Sequence, residues 1–111
     1  VDIFPAVTVR GTEIAYREAI GALLEDPGID AVVAVMILTD ELAPKSYDFV
    51  VDLAARHKNK PVYISFSGDT VCNAAAKAFL EPRGVPTFPL IEDPFKALDI
   101  LVRCRAAMKH R

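Results

Sequence analysis

Eight consecutive apolar residues, Ala31-Val32-Val33-Ala34-Val35-Met36-Ile37-Leu38, follow the turn signal Asp26-Pro27-Gly28 and run straight into the polar Thr39-Asp40-Glu41. A run of that length, rich in β-branched side chains, predicts a central strand over Ile29 to Leu38 that is buried on both faces. Upstream, Tyr16, Ile20, Leu23 and Leu24 recur at helical spacing. They predict a helix over residues 13 to 25, with Thr12 as its N-cap and Glu13 in its first turn. Before it, Val1-Asp2-Ile3-Phe4 and Val7-Thr8-Val9 alternate apolar and polar around Pro5, the pattern of a weak strand or an extended lead-in.

Downstream, Tyr47, Val50, Val51 and Ala54 give the i, i+3, i+4, i+7 stripe of a helix that starts near Pro44 and ends among Arg56, His57, Lys58 and Lys60. Pro61 to Phe66 reads as a second strand closed by Ser67-Gly68-Asp69-Thr70, and Val71 to Leu80 as an alanine-rich helix broken by Glu81-Pro82-Arg83-Gly84. Val85 to Ile91 contains Pro86 and Pro89, each removing a ladder donor, which predicts a short edge strand. Asp93-Pro94 then reads as N-cap and N1 of a last helix, marked by Ala97, Leu98, Leu101, Val102 and Arg105 and ending near Met108, with Lys109-His110-Arg111 as a basic end. Strand and helix alternate with short connections, which predicts an α/β fold: a small open parallel sheet with helices on both faces, flavodoxin-like.

Composition narrows the function classes. The 111 residues are about one domain's worth, and 52% hydrophobic content fills a single core. A formal charge of −2, without a basic run, argues against nucleic acid or anionic lipid as partner. No apolar run is long enough to span a bilayer and no signal peptide is visible, while two isolated cysteines suit a reducing compartment, so a cytoplasmic location is expected. The chain begins with Val1 rather than Met, which suggests a fragment of a longer multidomain protein covering residues 1–111 as one domain.

Candidates for chemistry are few. Ligands of parallel sheets gather at the carboxyl ends of strands, which directs attention to Leu38-Thr39-Asp40-Glu41, Ser67-Gly68-Asp69 and Glu92-Asp93. Helix starts after residues 39 and 68 would aim free N–H groups at one shared rim suited to an anionic group presented from elsewhere, although Asp40, Glu41 and Asp69 partly oppose an anion. Cys72, near a helix start, is a candidate thiolate or a small buried apolar residue; Cys104 reads as structural and His57 as a surface histidine. Acids at three strand ends could hold Mg²⁺ or accept phosphate as in a receiver domain, using Asp40 or Asp69, but no lysine follows the late strand to pair with a phosphorylated acid. No metal site and no catalytic residue is assigned. Without a glycine-rich phosphate loop, the chain is not expected to bind a nucleotide by itself.

Taken in order, Val1-Asp2-Ile3, Asp26-Pro27-Gly28-Ile29-Asp30-Ala31-Val32, Lys60-Pro61-Val62-Tyr63-Ile64-Ser65-Phe66-Ser67-Gly68 and Gly84-Val85-Pro86-Thr87-Phe88-Pro89 with Ala97-Leu98 resemble the succinyl-CoA synthetase-like flavodoxin domain of NDP-forming acyl-CoA synthetases. The resemblance implies a noncatalytic part of an acid–thiol ligase. Such an enzyme joins an acid to coenzyme A with ATP or GTP and Mg²⁺, through a phosphohistidine carried by a neighbouring domain. The partners implied are the histidine-bearing, CoA-binding and ATP-grasp domains of the same enzyme. The role implied for Leu38, Thr39, Asp40, Glu41, Ser67, Gly68 and Asp69 is to cradle the phosphohistidine or to dock its domain. Where succinyl-CoA ligases carry a glycine pair at the first loop, this chain has Leu38-Thr39-Asp40-Glu41. The active histidine's motif is absent, so the isolated chain is expected to be inactive. A regulatory or scaffold module of an acetyltransferase fusion is the alternative from another class.

Overall fold

Parallel pairing organises the computed structural model, which describes residues 2–109. Strand β1 (Val32–Leu38) pairs with β2 (Val62–Gly68), and β2 pairs with β3 (Thr87–Phe88), giving a three-stranded open sheet in the order β1-β2-β3. Five helices complete an α/β, flavodoxin-like arrangement: α1 (Phe4–Arg10), α2 (Thr12–Glu25), α3 (Asp48–Arg56), α4 (Thr70–Leu80) and α5 (Glu92–Lys109). A 3₁₀ turn at Glu81–Arg83 follows α4, and Gly84, at φ 87°, ends it in the left-handed region.

The core lies on one face of the sheet. Val32, Ala34, Met36 and Leu38 of β1 and Val62, Ile64 and Phe66 of β2 pack with Ile20 and Leu24 of α2, Phe49 and Val50 of α3, and Ala76 and Leu80 of α4. The apolar stripes of α2 and α3 face inward as their spacing predicts, and the alanine-rich α4 packs on the same core through Ala76 and Leu80. On the opposite face α5 packs against β2 and β3, Pro94 is buried, and Tyr63 meets Phe88 with ring centroids 5.3 Å apart.

The long apolar run departs from its expected place. β1 is an edge strand rather than the centre, and its residues alternate between buried and open, with Val35 38% and Ile37 48% exposed. The reason is layering: α5 packs on β2 and β3, while Val35 and Ile37 of β1 line an open cleft beside α1 and α2. The strand also starts at Val32, not Ile29.

The lead-in is a helix, not a strand. Pro5 stands in the first turn of α1, where a missing N–H costs nothing and the fixed φ suits the helix, and Val7 is buried. Gly11 (φ 86°) separates α1 from α2 and occupies the cap position expected of Thr12, which is already helical and makes no capping bond. Similarly, Asp93 and Pro94 lie inside the first turn of α5. Val1 and the basic end His110-Arg111 lie outside the described residues.

Lys60 shows how a helix end is closed from a distance. Its Nζ donates to the carbonyls of Leu24 (2.7 Å) and Asp26 (2.8 Å) at the end of α2, rather than serving the end of α3, the helix that precedes it. Hydrogen bonds from a charged donor contribute about 1.5–3 kcal/mol each, so this contact holds α2 to the start of β2. Asp26 Oδ1 accepts from Gly28 N at 2.8 Å and shapes the turn that leads to β1.

Candidate functional site

β1 and β2 end level with each other, Leu38 opposite Gly68, and the Asp69 N–H donates to the Leu38 carbonyl at 2.7 Å. The turns after the two strands therefore form one continuous rim. Gly68 makes this closeness practicable: at φ 102° it lacks the side chain that would stand 2.3 Å from the Leu38 carbonyl oxygen. Asp69 then caps α4, its Oδ1 accepting from Val71 N at 2.8 Å. Ser67 and Gly68 are exposed on the rim.

The other half of the rim is built differently from the expectation. No helix starts after residue 39. The Ala43 N–H donates to the Thr39 carbonyl (2.8 Å) and the Leu42 N–H to Thr39 Oγ1 (3.2 Å), closing a single turn with Asp40 and Glu41 exposed at its tip. Helix α3 begins only at Asp48, beyond Pro44 and with Tyr47 at its cap position. One helix start, that of α4, thus faces the rim instead of two, because Thr39 spends its carbonyl and hydroxyl on a local turn.

Charge at the rim is negative and concentrated. The carboxylates of Asp40 and Asp69 and the thiol of Cys72 lie within 4.8 Å of one another, and Cys72 Sγ donates to Asp40 Oδ1 at 3.8 Å. Burial of the half-buried thiol, then Asp69, then Asp40 push its pKa above the ordinary value, opposite to the lowering that a helix start alone gives. Cys72 is therefore a protonated neighbour of two acids rather than a thiolate. This donor set suits Mg²⁺ poorly: the cation wants several oxygens in octahedral array, and here one of two carboxylates already caps a helix. Glu92 and Asp93 open α5 and do not join the group. His57 follows α3 half-buried, and Cys104 is exposed on α5 rather than packed in a core.

The raised thiol sets an order of reactivity. With iodoacetamide at about pH 8, Cys104 is expected to be alkylated first and Cys72 severalfold more slowly, since only thiolate attacks. Asp40→Asn, by removing one of the two charges, should narrow that gap. Peptide mass spectrometry against time reads both rates; a faster Cys72 in the unmodified chain would contradict the assigned electrostatics.

Two features escape a reading of the sequence. Tyr16, counted as one residue of an apolar stripe, donates its hydroxyl to the Val35 carbonyl at 2.5 Å, across from α2 to the outer edge of β1. Burial, and secondarily Asp2, hold its pKa up, so the phenol remains a donor. α1, α2 and β1 together wall an apolar cleft of about 400 Å³ lined by Ile3, Phe4, Tyr16, Leu23, Val35 and Ile37 among others. A tyrosine in place of leucine within a helix stripe was the available signal, since a buried phenol usually finds a partner.

Over 112 aligned positions the chain is 30% identical to the ADP-forming acetate–CoA ligase II of Archaeoglobus fulgidus. The alignment covers 100% of this chain and 16% of that ligase. No family model and no solved structure matches the chain. No helix among the described residues is long and apolar enough to cross a membrane.

Proposed function

We propose that this chain is a domain of an NDP-forming acyl-CoA ligase that does not catalyse by itself but docks on a histidine-bearing domain and shapes the site of phosphate transfer. Full-length similarity to one segment of an ADP-forming acetate–CoA ligase supports the parent activity. The observation that carries the role is the shared rim, where the Asp69 N–H holds the Leu38 carbonyl at 2.7 Å and leaves Thr39, Asp40, Glu41, Ser67 and Gly68 on one open ledge.

On this reading the ledge contributes in two ways. The Ser67 hydroxyl and the start of α4 offer donors to an anionic group carried by the neighbour. Asp40 and Glu41 take cationic side chains of the docking domain, so they fix its orientation rather than bind phosphate themselves. ATP, coenzyme A and Mg²⁺ are held by the ATP-grasp and CoA-binding domains of the parent enzyme. They supply the phosphoryl group and the thiol acceptor; this chain supplies position.

Incubated alone with ATP, coenzyme A and acetate, the chain is expected to yield no thioester. Added in trans to a ligase lacking the matching segment, it should restore thioester formation. Asp40→Lys together with Glu41→Lys should reduce that restoration by about tenfold or more, the loss of roughly 1.4 kcal/mol of docking free energy. Thioester made by the chain alone, or failure to complement, overturns the reading.

A further inference from the structure

Among the described residues, the two edges of this sheet are protected in different ways. β3 is two residues long and flanked by Pro86 and Pro89, so it offers almost nothing for another strand to pair with. β1 has seven apolar residues, no proline, no charge and an unbroken register with β2 that leaves no bulge. Its direction of bonding is fixed as well. Val32 N–H and the Leu38 carbonyl bond toward β2, so by alternation the N–H and C=O groups of Val33, Val35 and Ile37 point outward. Short, uncharged, β-prone segments of this kind, presented on an edge, are the usual templates for unwanted pairing.

The edge is also complementary to itself. Two copies of β1 placed antiparallel about Val35 would bring Val35 opposite Val35, the two residues exchanging both N–H···O=C bonds, with Val33 opposite Ile37 on either side. The open side chains of Val35 and Ile37 would then continue as one apolar face across both copies. At the centre of that pairing, however, the Val35 carbonyl is already taken by the Tyr16 hydroxyl at 2.5 Å.

We propose that Tyr16 is the guard of this edge: by holding the outward carbonyl of Val35 and keeping α2 alongside β1, it prevents a second copy of the chain from adding its own β1 there. The tether is local. Among the described residues, the side-chain hydrogen bonds that tie α2 to the rest of the fold are those of Tyr16 to β1, of Glu18 with Arg10 of α1 and, at the far end of the helix, of Lys60, so that Tyr16 alone reaches the edge of β1. Loss of the Tyr16 hydroxyl frees the middle of the edge while Lys60 still anchors the helix.

Sedimentation velocity over a concentration series, with circular dichroism as the check on folding, tests this on the 111-residue chain. The unaltered chain is expected to sediment as a monomer. Tyr16→Phe, which removes only the hydroxyl, should shift with concentration to twice the mass at unchanged helical signal. Adding Val35→Lys, a charge at the middle of the freed edge, should return Tyr16→Phe to monomer. The proposal is overturned by a Tyr16→Phe chain that sediments like the unaltered one or loses its helical signal, by an unaltered chain that already dimerises, or by association that Val35→Lys leaves in place.

Discussion

Gly68→Ala should destabilise this chain by on the order of 3–5 kcal/mol, a large part of the roughly 5–15 kcal/mol that holds a domain of this size together. Two effects add. At φ 102° a residue with a Cβ is strained, and the new methyl would meet the Leu38 carbonyl oxygen at 2.3 Å. That neighbour is backbone, itself paired to the Asp69 N–H, and it cannot swing aside as a flexible side chain would. Relief requires the ends of β1 and β2 to separate, which breaks the rim as well. In urea the midpoint should fall with little change in slope. A loss below about 1 kcal/mol would mean that the two strand ends are less closely joined than the structure shows.

Ile64→Ala is expected to cost about 2–5 kcal/mol, as truncations of fully buried aliphatic side chains do. Ile64 is 0% exposed on the middle strand, enclosed by β1, β3 and the core-side helices. Ile37→Ala, the same chemical change on β1, should cost about 1 kcal/mol or less, because its side chain is 48% exposed and little apolar surface returns to water. Paired denaturation curves of the two variants measure the contrast. Equal losses would show that both faces of β1 are covered and that the sheet's layering is wrong.

That contrast also marks where a linear reading stops. The period of β-branched and apolar residues fixes Val32–Leu38 as a strand, yet an uninterrupted apolar run is compatible with either a central or an edge position. Which one it takes depends on how many strands pair beyond it and where α5 lies, both non-local facts. The same holds at Pro5. A proline beside alternating residues suits an extended segment, and it equally suits the first turn of a helix; the packing of Val7 against its surroundings chooses the helix. At the rim, Ser67, Gly68 and Asp69 were legible as a turn before a helix because glycine followed by an N-cap residue is a local code. Asp40 and Cys72 were legible only separately, since 31 intervening positions carry no sign that their side chains meet.

The order of elements from α2 onward, the parallel α/β class, the proline-limited third strand and the two polar strand ends were set by residues acting on their immediate neighbours: periodicity, caps and ring constraints operate within a few positions. Tertiary packing alone decided that β1 lies open at the edge, that Tyr16 holds its Val35 carbonyl, that Lys60 closes α2, and that Asp40, Asp69 and Cys72 share one corner. The division is physical. Backbone preference and side-chain entropy are properties of a short segment, whereas burial, desolvation and hydrogen bonds between distant residues exist only once the chain has closed on itself.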